Sequence, residues 1–186
     1  VMLYKIIQPE GYAHLEFYRD WRPYGEPRVS YGHNLEIAWL LLETYEVLER
    51  KPDQEALEVI TAFASNSAHW GYDAEEGGYF NSGEPGAEPD SKNKSWWVQT
   101  EAIAGLWWLY RLTGEVGYLD KLEATFAYSQ AQLIDHEYGG WYSSRLENGE
   151  LSSNGTIKGH LWKTSYHTVR ALVFTHVWIL EALADD

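Results

Sequence analysis

The chain has 186 residues, a formal net charge of −14 and no cysteine. A chain of this length holds one domain, residues 1–186, and buries a core without crosslinks, while the missing thiols exclude disulfides, thiolate nucleophiles and zinc–cysteine centres. The negative field repels phosphate backbones and anionic bilayers, so nucleic acid and membrane surfaces are disfavoured as partners and neutral substrates fit best.

Residues 1–30 read as an irregular lead-in: AHLEFYRDW alternates weakly as a strand, and RPYGEPR supplies a turn. The stretch VMLYKIIQPEGYAHLEF lacks the continuous apolar centre of a secretory signal. No apolar run reaches the length of a membrane span, and the cytoplasm is the expected compartment. From Asn34 the period turns helical, with Leu35, Ala38, Trp39, Leu42 and Tyr45 on one face and Pro52 as the stop. Asp53 caps a second helix with the stripe Leu57, Ile60, Ala64 and Ala68. EEGGYFNSGEPGAEPDSKNK reads as a long loop with a short strand at Tyr79-Phe80. A third helix is expected from Ser95 to Leu112 with Gly114 at its end, and a fourth from Val116 to His136. YGGWYSSRLENGELSS reads as a hairpin turning at Asn148-Gly149, and a last helix occupies Ser165 to Ala184. Helix pairs separated by GGYF and GGWY excursions point to an all-α fold, a toroid or solenoid of αα-hairpins with short β-hairpins in its loops. Such folds gather their active residues at the loop-bearing end.

Aromatic residues make up 16% of the chain, including ten Trp and fourteen Tyr. They can fill a core or line a site where sugars stack. His33 and Glu36 share a helix face at i, i+3, so the glutamate could hold one tautomer of that imidazole. The same residues also read as a plain helix start, with Asn34 as cap and Glu36 against the dipole. His-x-x-Glu is not the two-histidine zinc pattern, and neither metal nor cofactor is expected. Trp97 and Glu101, at i, i+4, form a candidate sugar platform of ring and carboxylate; Trp107 and Trp108 read as core. His167 opens the last helix, after Trp162 and before Arg170. His14, His69, His136, His160 and His176 read as structural or solvated. His33, Trp97 and His167 each open a helix after an irregular segment. In a ring of helix pairs, alternate helices begin at one end, so the three could meet at one mouth. Two imidazoles across a bound molecule then make a two-base pair, one removing a proton and the other returning it.

SYGHNLEIAWLLLE, KSWWVQTEAIAG and KGHLWKTSYHTVRAL together resemble the N-acylglucosamine 2-epimerase family, in particular its cellobiose 2-epimerase-like branch. The resemblance runs from about Tyr31 to Ala171 and implies a partial (α/α)6 barrel equivalent to the family's C-terminal half. It implies metal-independent 2-epimerisation or aldose–ketose isomerisation of a free reducing mono- or disaccharide, through an enediolate. His33 and His167 fall on the catalytic histidines, Glu36 on the helix glutamate, Trp97 and Trp162 on the stacking tryptophans, and Glu101 on the acidic position of the tryptophan motif. Thr168 departs from the Asn that follows the histidine in that branch. Family members are about twice this long. Half a ring would expose apolar helix faces, so a homodimer or a missing N-terminal half is the expected partner. The non-catalytic alternatives are a carbohydrate-binding module and a helical protein-interaction domain.

Overall fold

The computed structural model describes residues 1–184. Among these, five α-helices are interspersed with short strands: α1 (Tyr31–Val47), α2 (Gln54–Trp70), α3 (Trp96–Thr113), α4 (Gly117–Gln132) and α5 (Ser165–Ala184). A π-helical turn, Met2–Ile6, precedes them.

The helix ends follow local chemistry, with two departures from expectation. Asp53 caps α2 by accepting the Ala56 N–H at 2.8 Å, and Gly114 ends α3 at φ +72, where a left-handed residue costs glycine nothing. α1 begins earlier than Asn34, at Tyr31, with Ser30 as its N-cap. Asn34 is therefore not a cap. It is fully buried inside the helix, accepting the Ala13 N–H at 3.1 Å and donating to Ser67 Oγ at 2.8 Å. α4 stops short of His136, because Ile134 already pairs with Trp141 as the chain bends away.

Helix α3 is the centre of the molecule. It packs against α1, α2, α4 and α5, which is why it is apolar on nearly every side. Gly105 lets α1 approach closely: a Cβ there would lie 3.0 Å from Leu35 Cβ. Leu35, Ile60, Phe63, Val98 and Leu106 form one core between α1, α2 and α3. Trp39, Ala104, Trp107, Ala171 and Trp178 form a second between α1, α3 and α5. Each large side chain so buried contributes about 1.5–3 kcal/mol. By contrast Val169, Val173, Val177 and Leu180, which share one face of α5, are 42–54% exposed.

The strands are short. β1 (Ile7–Gln8) pairs with β2 (Tyr12–Ala13), and beyond this AHLEFYRDW offers only a bridge between Phe17 and Pro23. β3 (Val29–Ser30), β4 (Ser82–Gly83) and β5 (Pro89–Ser91) form an antiparallel sheet. The long loop thus holds more structure than expected. Its ladder starts at Ser82, whereas Tyr79 makes only an isolated bridge with Tyr72. β6 (Lys94–Ser95) pairs with β7 (Ser144–Arg145). The hairpin that follows turns at Asn148-Gly149, with Gly149 at φ +79 and the Leu146 N–H on Glu150 O at 2.8 Å.

The two excursions are one motif used twice. In DAEEGGYF (73–80) and DHEYGGWY (135–142) the aspartate accepts backbone N–H groups two and three residues ahead. Both glycines of each pair have positive φ. A lysine from further along the chain closes each loop: Lys94 on Asp73 (2.6 Å) and on Gly77 O (2.9 Å), Lys158 on Asp135 and on Gly139 O (2.7 Å).

Candidate active site

The starts of α1, α3 and α5 are stitched together by the loops. Asn81 accepts the Tyr31 N–H on its backbone oxygen (3.3 Å) and the Ser95 N–H on its side chain (3.0 Å), coupling the first turns of α1 and α3. Ser143 O accepts the Trp96 N–H at 3.1 Å. The buried Lys163 ammonium, just before α5, donates to Trp141 O, to Ser143 Oγ (3.2 Å) and to Ile157 O (3.3 Å). Gln99 grips Tyr79 by both its backbone groups, at 2.7 and 2.8 Å. These contacts bring three helix openings, distant in sequence, to one place.

His33, Trp97 and His167 meet there. The Trp97 ring centroid lies 4.7 Å from that of His33 and 5.3 Å from that of His167. Each imidazole is anchored through Nδ1: His33 to Ser30 Oγ at 2.7 Å, His167 to Glu101 Oε1 at 2.7 Å. Among the described residues neither Nε2 has a protein partner. A carboxylate only accepts, so Glu101 selects the Nδ1–H tautomer of His167 and leaves Nε2 as the basic atom. Burial pushes the pKa of His33 down; His167 adds to this, and the Glu36 and Glu101 carboxylates oppose it without cancelling it. The stability linked to His33 is therefore fully present above the unfolded value near 6.5 and is lost as pH falls through the lower folded value.

Gly32 makes the close approach of Trp97 possible. A Cβ at Gly32 would sit 2.5 Å from Trp97 Cζ3 and 3.0 Å from Val98 Cγ2. Gly32→Ala is expected to displace the indole and to cost about 1–3 kcal/mol. Thermal unfolding and near-ultraviolet circular dichroism measure both effects, and an unchanged tryptophan band with an unchanged Tm would contradict the packing.

Behind the imidazoles lies a buried charge cluster. Arg170 Nη2 bonds Glu36 Oε1 at 2.6 Å and Glu101 Oε1 at 2.9 Å. Tyr166 donates to Glu36 Oε1 at 3.2 Å, and Arg170 Nη1 donates to the Tyr166 hydroxyl. Trp39 Nε1 fills Glu101 Oε2 at 2.8 Å. The guanidinium also lies against rings, 3.8 Å from the Tyr166 centroid and 4.8 Å from that of Trp39. Glu36, Glu101 and His167 each offer a ligand atom within 4.8 Å of the others. Arg170 already bonds the same two Oε1 atoms, so a divalent cation there would meet a fixed positive charge.

Several expectations change in detail. Glu36 does not hydrogen-bond His33: His33 Nδ1 is held by Ser30 Oγ, and Glu36 Oε1 is taken by Arg170 and Tyr166. Glu101 lies beside Trp97 in sequence but is fully buried with both oxygens engaged, so it is not free to accept sugar hydroxyls. Trp162 stands apart, 78% exposed in the loop before α5, with its backbone N–H on His160 Nδ1 at 3.2 Å. Ser30, Asn81, Tyr166 and Arg170 join the site unforeseen. The spacing of His167 and Arg170 (i, i+3) was the available signal for the arginine.

The family model for N-acylglucosamine 2-epimerase (GlcNAc 2-epimerase) matches residues 1–171. The chain belongs to this family. As an N-acylglucosamine 2-epimerase family member it is 28% identical, over 91% of its own length, to a cellobiose 2-epimerase of Bacteroides fragilis, of which it covers 43%. It is 30% identical over 81% of its length to a D-mannose isomerase of Marinomonas mediterranea, covering 36% of that protein. The structure of a cellobiose 2-epimerase from Spirochaeta thermophila superposes with a TM-score of 0.82 at 29% identity, covering 98% of this chain and 45% of that one. This family member thus spans less than half the length of these relatives. Its neighbours have the epimerase (α/α)6 toroid fold. No helix among the described residues is long and apolar enough to cross a membrane.

Proposed function

We propose that this chain carries the two catalytic histidines of a sugar 2-epimerase or aldose–ketose isomerase, on part of an (α/α)6 toroid equivalent to the family's C-terminal half. The substrate is a free reducing mono- or disaccharide. The observation that carries the reading is the pair of imidazoles against one indole, each anchored by Nδ1 with Nε2 left over.

In the opened sugar, the C1 aldehyde acidifies the proton on C2. One imidazole Nε2 takes that proton, and the electron pair of the broken C–H bond moves into the enediolate. The other imidazole gives a proton to the opposite face of C2, inverting it. Delivery to C1 instead, with the O2 proton passing to O1, gives the ketose, so both relatives' reactions share one intermediate. Trp97 supplies the apolar platform between the two bases, and Trp162 is assigned a second stacking role from the loop before α5. Glu101 holds His167, and Glu36 with Arg170 completes that support. Each acid–base step contributes about 10²–10⁴-fold.

The exposed stripe Val169, Val173, Val177 and Leu180 favours a partner on α5. An N-terminal half or a second copy of the chain would cover it and wall the sugar site. The test of the activity is exchange: incubated in D₂O with cellobiose, mannose or glucose, the chain is expected to place deuterium at C2, read by NMR. Binding measured by calorimetry with no exchange would reduce the site to a carbohydrate-binding module. Neither binding nor exchange would leave a helical interaction domain.

A further inference from the structure

We propose that Ser30 is a positioning residue for His33: its hydroxyl accepts the Nδ1–H and so keeps Nε2 as the proton-accepting atom, with a partner that carries no charge. The inference rests on reading His33 as an acid–base group, but its geometry stands without the sugar.

Ser30 is the N-cap of α1, and the usual task of such a serine is to accept a backbone N–H from the first turn. It makes no side-chain cap bond. Its hydroxyl lies 2.7 Å from the imidazole of His33, the third residue of the helix. The interaction a helix normally takes from its cap has been given to a side chain. The hydroxyl is also rigidly mounted. Ser30 pairs with Ser82 across β3 and β4, and Arg28 braces that ladder from behind, on Ser82 Oγ (2.9 Å) and bidentately on Asp90 (2.6 and 2.9 Å). Asn81 O takes the next N–H, that of Tyr31.

The two histidines are thereby held alike in geometry and differently in charge. His167 has a carboxylate on Nδ1, and His33 has a neutral hydroxyl there. The groups facing His33 are Glu36 from its own helix, Glu101 from α3 and His167 from α5, with Trp97 against its ring. Burial outweighs the two carboxylates, so His33 rests unprotonated at neutrality. With a charged partner behind one ring and a neutral partner behind the other, the two imidazoles are not equivalent groups.

The test is ¹⁵N NMR of imidazole-labelled chain, with no sugar present. Neutral His33 is expected as the Nδ1–H tautomer. Ser30→Ala should shift it toward the Nε2–H form that a free histidine side chain prefers, Ser30→Thr should restore it, and Ser30→Asp should raise the pH at which the ring protonates. The His167 signals should hold through the series. A wild-type His33 already in the Nε2–H form, or a tautomer unmoved by Ser30→Ala, overturns the proposal. Where C2 exchange is measurable, Ser30→Ala is expected to lower kcat by about 10–10²-fold with KM little changed, and Ser30→Thr to recover most of it. If NMR gives the expected series while no sugar exchanges, the positioning role stands and the epimerase reading alone fails.

Discussion

Inversion at C2 is expected to fall by about 10²–10⁴-fold in both His33→Ala and His167→Ala, yet the two variants should not be alike. Each retains one imidazole, on one face of the sugar. That ring can still remove the C2 proton it faces, lose it to solvent and return a deuteron to the same face. Each variant should therefore exchange one epimer without inverting it, and the two should choose opposite epimers. The expectation follows from two rings that meet a common indole but hang from helices α1 and α5, with separate Nδ1 anchors on Ser30 and Glu101. Chiral analysis of the sugar after incubation in D₂O separates exchange from inversion. Either variant inverting at the rate of the parent chain would remove its histidine from the reaction.

Arg170→Met is expected to cost about 3–5 kcal/mol of folding stability, as removal of one partner from a buried ionic cluster does. Its Nη2 bridges Glu36 Oε1 and Glu101 Oε1, and the side chains of Arg170, Glu36 and Glu101 are 16%, 10% and 0% exposed. An exposed pair would be worth about 0–1 kcal/mol; this burial puts the cluster in the other regime. Without the guanidinium, Glu36 and Glu101 share a buried site with the His167 imidazole, and one of these three groups must take up a proton. Its folded pKa in the variant then lies above the unfolded one. The variant's stability is thus best on the acid side and is lost as pH rises through that raised value. Denaturant titrations at pH 5 and pH 7.5 should show the larger deficit at the higher pH. A loss below about 1 kcal/mol, equal at both, would mean that the cluster is solvated.

What the sequence made legible was the helical frame. Stripes such as Leu35, Ala38, Trp39 and Leu42 signal a helix without any tertiary knowledge, and Asp53 and Gly114 mark ends by their own chemistry. The site was legible only as a set of helix openings. Its members could be named because each sits near the start of a helix, but their partners could not. Glu36 and Arg170 come from the first and last helices, and the contact between them depends on both packing against α3. Spacing suggested that Glu36 would serve His33, since i, i+3 residues are neighbours. Other partners intervene: Ser30 takes His33, and Arg170 and Tyr166 of α5 take Glu36. Glu101 read as a surface carboxylate beside a ring because nothing in WWVQTEA shows that Trp39, His167 and Arg170 all converge on it. The β3–β4–β5 sheet was hidden for a similar reason: strands of two or three residues carry too few positions for an alternating pattern to show.

The duplicated Gly-Gly loops bear on how such a chain acquires its shape. Lys94 reaches Asp73 and Lys158 reaches Asp135 across short separations, so each corner can lock soon after its lysine leaves the ribosome. A ring assembled from corners that close one by one does not wait for its two ends to find each other.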